Sequence, residues 1–423
     1  MRRIRPALLG LLTAVLTVGT LTAPANAGGW RPVTELPDLP PLPAGETPYA
    51  FTARLDIGDG ARACSATLVE KQWLLTAASC FADDPAVSLR VPAGAPDLAT
   101  TATIGRADLT GTGGQVRDVV ELVPHPDRDL VLAKLSSQVT TVTPVSLASA
   151  EPVAGEELRV TGYGRTADEW APLSLHAGDF DVESVAATEV GITGQEGGSV
   201  CAGDAGGPVL RETGQGVELV AINSRSAQGG CFGVDESVTS TDAFSTRLDD
   251  ITAWIGARVA RWSLKAQAND TYVSAAVTTT GENQGRLRAR ADTVAGWEQF
   301  TLHTRDDGAS VALRSEASRL FVATELNRTG DLEGMLRARS ESVTGGWELF
   351  TLVPQGDQKY ALQSRANGKY VATEASYTGE DAGQLRARSA GVTGGWERFT
   401  LTHADNFKVV GSAPAAPAPL PLG

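Results

Sequence analysis

Apolar and polar residues alternate in short runs along most of this chain. Ala50 to Ile57 is such a run, and the short β-type runs Ser65 to Val69 and Trp73 to Thr76, the last more continuously apolar, follow with turn residues between them. A period of two over this length is the pattern of a half-buried strand. Many short strands between Gly-rich turns predict an all-β barrel or sandwich. Ile251 to Ala260 breaks the pattern, with Trp254 and Ile255 on one side of an amphipathic helix. The N-terminus breaks it too: Arg2, Arg3 and Arg5 precede an apolar run from Ala7 to about Thr20, then Ala25-Asn26-Ala27. A basic head, an apolar middle and an A-x-A end predict a secretory signal over 1–27, cleaved after Ala27. The run is short for a membrane anchor and no later segment could span a bilayer, so the mature form is expected to have no membrane partner. Residues 28–47 are Pro-rich and read as an extended, poorly packed leader.

From about Trp262 the texture changes. Leu287-Arg288-Ala289-Arg290 recurs as Leu336-Arg337-Ala338-Arg339 and Leu385-Arg386-Ala387-Arg388, a constant spacing of 49 residues. Tyr272-Val273, Phe321-Val322 and Tyr370-Val371 keep the same period, and each copy ends Gly-Trp-Glu-x-Phe-Thr-Leu. Three β-rich units of this length fit a closed three-fold β-trefoil better than an open solenoid. The pattern resembles the fascin-like trefoil domain over 261–411 and lacks the Q-x-W signature of ricin-type lectins. That resemblance implies binding to a polymer or glycan without catalysis. Trp297, Trp347 and Trp396 are the binding candidates, as sugar-stacking platforms; their regular recurrence favours instead a place in the core. The six arginines of the L-R-A-R copies could form an anion-binding ring, but are expected to pair with Glu298, Glu348 and Glu397 on an exposed strand face. Residues 412–423 are an Ala/Pro tail, expected to be disordered.

At 423 residues the chain is long enough for two domains. A formal net charge of −14 argues against a nucleic-acid partner and for a monomer that repels its own copies. The four histidines are scattered and the four cysteines show no C-x-x-C, so no metal or cofactor is expected. In an oxidising compartment four cysteines can form two disulfides, and three pairings are open.

One stretch carries candidate chemistry: Cys201-Ala202-Gly203-Asp204-Ala205-Gly206-Gly207-Pro208. It resembles the nucleophile loop C-x-G-D-S-G-G-P of the chymotrypsin/trypsin-like serine peptidases. Cys64-Ser65-Ala66-Thr67-Leu68 followed by Trp73-Leu74-Leu75-Thr76-Ala77-Ala78-Ser79-Cys80 resembles that family's C-(S/G)-G-(S/T)-L…W-V-L-T-A-A-H-C. Asp129-Leu130-Val131-Leu132-Ala133-Lys134-Leu135 resembles its D-I-A-L-L-K-L, and Val220 to Ser224 its specificity-pocket strand. The resemblance covers 48–260 and implies a double β-barrel, with disulfides Cys64–Cys80 and Cys201–Cys231, each contributing on the order of 3 kcal/mol.

The same resemblance exposes three departures. The triad positions are Ser79, Asp129 and Ala205, so the base and the nucleophile are both missing. Asp129 is then expected to be a buried carboxylate held by hydrogen bonds, one from Ser79. No freed Ile/Val-(Ile/Val)-Gly-Gly precedes Tyr49 to pair with Asp204, so the oxyanion positions, Gly203 and Ala205, are either formed or collapsed. Ser199 would lie at a neutral pocket floor suited to an apolar or small side chain, with Ser224 and Arg225 on the wall; Arg225 could equally close the pocket. His125 and His176 are expected to be structural or exposed. The leading reading is a secreted, non-catalytic homologue that binds a peptide or, through its trefoil, a glycan. The alternatives are an exported serine endopeptidase with an accessory trefoil, and an inert peptidase scaffold whose function lies in the trefoil.

Overall fold

The computed structural model describes residues 29–35, 47–214, 216–304, 310–356, 359–403, 408–410 and 420–421. The expected signal segment, most of the Pro-rich leader and most of the Ala/Pro tail lie outside these residues. Among them the strands form three closed rings.

The first ring runs Thr52–Ile57, Arg62–Glu70, Trp73–Thr76, Val131–Leu135, Gln115–Pro124, Thr100–Ile104 and back to Thr52–Ile57. Alternation puts Ala53, Leu55 and Ile57 inside, against Ala66, Leu68, Leu74, Val131 and Ala133. The second ring runs His176–Val185, Glu189–Gly194, Asp242–Arg247, Gly216–Ser226, Pro208–Thr213 and Glu157–Gly162, which pairs back onto His176–Val185. The helix Thr252–Val259 places Ile255 and Val259 in a cluster with Trp73, Leu75, Leu132, Leu210 and Leu219, joining the two rings. Both disulfides, Cys64–Cys80 and Cys201–Cys231, are present.

The start of the leader is not loose. Arg31–Pro32 pairs with Ala177 and His176, Val33 N–H donates to the Leu175 carbonyl, and Trp30 and Val33 are buried. Composition alone missed this because one tryptophan and one valine suffice to anchor a short extended segment.

The third ring comes from the repeats. Trp262–Ala266, Phe300–Thr304, Ser310–Ser315, Phe350–Pro354, Lys359–Ser364 and Phe399–His403 pair in succession and close on Trp262–Ala266. Phe300, Phe350 and Phe399 fill its core, one from each repeat. The remaining strands form three hairpins, Thr271–Ala275 with Leu287–Ala291, Phe321–Glu325 with Met335–Ser340, and Tyr370–Glu374 with Gln384–Ser389. They meet where Ala289, Ala338 and Ala387 N–H donate to the Gly383, Gly285 and Gly334 carbonyls, each at 2.7 Å. A β-carbon on Gly285, Gly334 or Gly383 would lie 2.2, 2.7 or 2.1 Å from a carbonyl oxygen, and each has φ near +70°. Only glycine suits both demands.

Two expectations for the repeats need correction. The tryptophans are not core: Trp297, Trp347 and Trp396 are 37, 39 and 41 % exposed. The phenylalanine three residues on takes the core place, and the intervening turn throws the indole outward. Nor do the arginines pair with Glu298, Glu348 and Glu397. Those glutamates are buried and accept the Ala295, Gly345 and Gly394 N–H groups, closing their own turns. Of the tail, Leu420–Pro421 pairs in parallel with His303–Thr304.

Charged groups join the repeats to the first ring. Lys134 Nζ donates to Glu316 at 2.7 Å, and Arg261 donates to Gln72 at 2.8 Å and lies 3.5 Å from Glu70. All four charged side chains are largely buried. Burial pushes the Glu316 carboxyl up, but Lys134 and Arg261 beside it pull harder, down to about 2 from an ordinary 4.5. Because the folded value is depressed, the stabilisation is present above about pH 4.5 and is lost as pH falls towards 2. Glu316→Gln leaves Lys134 buried without a charge partner. It should cost about 3 kcal/mol at neutral pH and flatten the stability profile between pH 5 and 2, read by thermal unfolding.

Candidate functional site

The loop after Cys201 is built around a carboxylate that reaches no solvent. Asp204 is 0 % exposed. It accepts hydrogen bonds from Gly164 N–H at 2.8 Å, Cys201 N–H at 3.0 Å and His176 Nε2 at 3.0 Å. His176 Nδ1 has no partner among the described residues, which suits a ring carrying its proton on Nε2. Trp30 lies edge-on to this imidazole, 4.3 Å between ring centres, and its indole N–H donates to the Ser199 carbonyl. The leader thus braces the histidine that holds the loop. No motif pointed to His176; the only sequence signal was an aspartate lacking its expected partner.

The rest of the loop is tied down. Ala205 carbonyl accepts Ser65 N–H, Gly206 N–H donates to the Asn223 carbonyl, and Asn223 N–H donates to the Gly207 carbonyl. Gly206 has φ +85°, and a β-carbon there would lie 2.0 Å from Thr76 Oγ1. Neither Gly203 N–H nor Ala205 N–H donates to any acceptor among the described residues.

Ser79, Asp129 and Ala205 all line one cleft of about 1360 Å³ between the two rings. Asp129 accepts Ser79 N–H at 2.7 Å, Ser79 Oγ at 3.0 Å and Ser224 Oγ at 2.7 Å. Both carboxylate oxygens are therefore occupied, and Ser224 is spent on holding Asp129. His125 lines the same cleft but stacks on Trp254 at 4.7 Å, and its Nδ1 accepts the Asp127 N–H. Burial and the nearby Arg128 lower its pKa, and it makes no hydrogen bond to Asp129. His176 serves Asp204 instead. The only imidazole at the cleft thus makes no contact with the triad positions.

Beyond Ala205 the cleft is lined by Val200, Ser224, Arg225 and Ser226. Ser226 Oγ donates to the Val200 carbonyl, bridging the two walls. Ser199, expected at the floor, is buried and does not line the cleft. Arg225 lines the cleft, where it pairs with Glu189, 2.9 Å from its Nη2, and stacks over Phe244 at 4.5 Å. Among the described residues no group of three or more His, Cys, Asp or Glu could hold a metal, and no helix is long and apolar enough to cross a membrane.

Two adjoining β-barrels with a cleft between them, a buried aspartate under a Gly-rich loop and two flanking disulfides define the class. The model of the trypsin family matches residues 42–255. The chain belongs to that family. Similar proteins include Serine protease 1 of Homo sapiens, 26 % identical over 181 residues, 37 % of this chain and 68 % of that one. Trypsin of Sus scrofa is 27 % identical over 40 % of this chain and 75 % of its own. The snake venom serine protease of Crotalus durissus durissus is 30 % identical over 35 % and 63 %. A solved structure of mouse neuropsin overlaps 49 % of this chain and 93 % of its own at 22 % identity and a TM-score of 0.39.

His176→Ala removes one of the three donors to a fully buried carboxylate. It should cost about 3 kcal/mol by denaturant unfolding and raise hydrogen exchange selectively across 201–207.

Proposed function

We propose that the chain is a secreted, non-catalytic trypsin homologue whose cleft binds a polypeptide without cutting it. The observation that carries this is the state of Asp129: its oxygens are bound to Ser79 and Ser224, where catalysis needs an imidazole between it and a nucleophile. Ala205 has no atom with which to attack a carbonyl. Loss of a triad costs roughly 10⁶-fold in turnover. The free Gly203 and Ala205 amides and the open cleft support retention of the binding surface. The two disulfides and the expected signal segment support export.

In this reading 1–27 is the signal, 28–47 the leader, 48–260 the pseudopeptidase domain, 261–411 the β-trefoil and 412–423 the tail. A second reading concerns the repeats. The exposed Trp297, Trp347 and Trp396 support three equivalent platforms for a glycan, the trefoil acting as the attachment module.

The test is hydrolysis of apolar chromogenic peptides by the mature protein and by the Ser79→His, Ala205→Ser double variant. The expected result is silence from the native protein and cleavage by the variant, blocked by a serine-directed phosphonylating reagent. Reagent-sensitive cleavage by the native protein overturns the non-catalytic reading. Silence from both overturns the intact cleft and moves the function to the repeats.

A further inference from the structure

In two of the three repeats a buried glutamate stands beneath the paired arginines. Glu325 lies 2.6 Å from Arg339 Nε and 3.7 Å from Arg337 Nη1. Glu374 accepts from Arg388 Nη2 at 3.0 Å and lies 3.7 Å from Arg386 Nη1. Both glutamates are 2 % exposed. Each so holds the outer guanidinium over its tryptophan: Arg339 is 5.9 Å from the Trp347 ring centre and Arg388 is 5.8 Å from that of Trp396. In the first repeat, 49 residues before Glu325, the position is Ala276, also buried. Its arginines, Arg288 and Arg290, lack this glutamate, and the carboxylates that act on Arg288 there come from Glu380 and Asp381 of the third repeat.

Independent features mark the place as unsatisfied. Arg288 is 5 % exposed and donates from Nη1 to the Glu380 carbonyl, yet its Nε is buried without a partner. The Nε atoms of Arg337 and Arg386 each reach a carbonyl, of Gln284 and Glu333, at 2.9 Å. Arg290 makes no ion pair among the described residues. A third cation, Arg286, stands where the other repeats have Met335 and Gln384. Its only ion-pair partner among the described residues is Asp381, itself half exposed. Burial, together with Arg290 and Arg286, pushes the Arg288 guanidinium below its ordinary range, against the opposing pull of Glu380 and Asp381. Three arginines against the two carboxylates Glu380 and Asp381 leave a positive excess in a partly dry site, and such an excess attracts an anion from outside.

We propose that the arginine cluster beside Ala276 is an anion site for a carboxylated sugar, the uronate of an acidic glycan. Its carboxylate lies between Arg288 and Arg290, where Glu325 and Glu374 place theirs in the other repeats, and its ring covers Trp297. A planar carboxylate matches the guanidinium fork, and a pyranose offers the exposed indole a C–H face. The sugar's identity rests on the glycan reading of the repeats; the anion site does not.

Calorimetric titration of the mature full-length protein tests this with trigalacturonate, its methyl ester, sodium acetate and an acetylated tripeptide with a free C-terminal carboxylate. Trigalacturonate should bind at about one site, and the ester at least about tenfold more weakly. Ala276→Glu supplies the carboxylate internally, in a setting that the other two repeats already accommodate. It and Arg290→Gln should each weaken trigalacturonate by at least about tenfold. Glu325→Ala should raise the stoichiometry towards two. Trigalacturonate binding that Ala276→Glu leaves unchanged overturns the site but not the glycan reading. Acetate or peptide binding that Ala276→Glu abolishes, with no saccharide bound, overturns the glycan ligand and keeps the anion site. Binding of none of the four overturns both.

Discussion

The peptidase-like half depends on keeping a carboxylate dry. Asp204 reaches no water, so every lone pair it presents must be met from within. Gly164 and Cys201 supply backbone donors, and His176 supplies a side-chain donor from a neighbouring strand. The active family uses a mobile ammonium for the third role, created by proteolysis. Here the donor belongs to a strand of the second ring, paired on both sides. The loop can therefore adopt its shape as soon as the chain folds, and Trp30, edge-on to the imidazole, carries that constraint to the leader.

A second carboxylate, Asp129, has the opposite history. It stands at the family's aspartate position, and its partners here are hydroxyls. Two serines and a backbone amide meet it well, so the cleft between the rings is held without an imidazole at Asp129. The stability of a site and its competence are separable, because hydrogen-bond satisfaction asks only for donors whereas catalysis asks for a donor that can also accept a proton. The bridge from Ser226 to Val200 likewise ties the pocket walls together.

The repeats illustrate how near-symmetry exposes a difference. Three phenylalanines and three glycines hold the ring and the hairpin junction to a common plan. Against that plan a single alanine in place of glutamate is conspicuous, since the surrounding arginines are all retained. The buried Lys134–Glu316 pair then ties this module to the first barrel.

The motif blocks determined a good deal by themselves. Ser79 and Ala205 could be read as lost chemistry because Cys64 to Cys80 and Cys201 to Pro208 are dense with residues whose roles are local: turn glycines, disulfide cysteines, strand alternation. The 49-residue period likewise made the three units visible. What the sequence left open were contacts between residues far apart in the chain. His176 meeting Asp204, Trp30 lying against His176, Arg225 turned towards Glu189, and Glu325 rather than Glu348 serving Arg339 all depend on which strands become neighbours. The outward tryptophans are the clearest case. Trp347 and Phe350 are both large and apolar at a fixed spacing, and nothing in that spacing says which faces inward; the short turn Gly346–Glu348 between the strands decides it. Local pattern determined the elements and the missing reactive groups, while burial and pairing, being properties of the closed rings, were settled only by the tertiary structure.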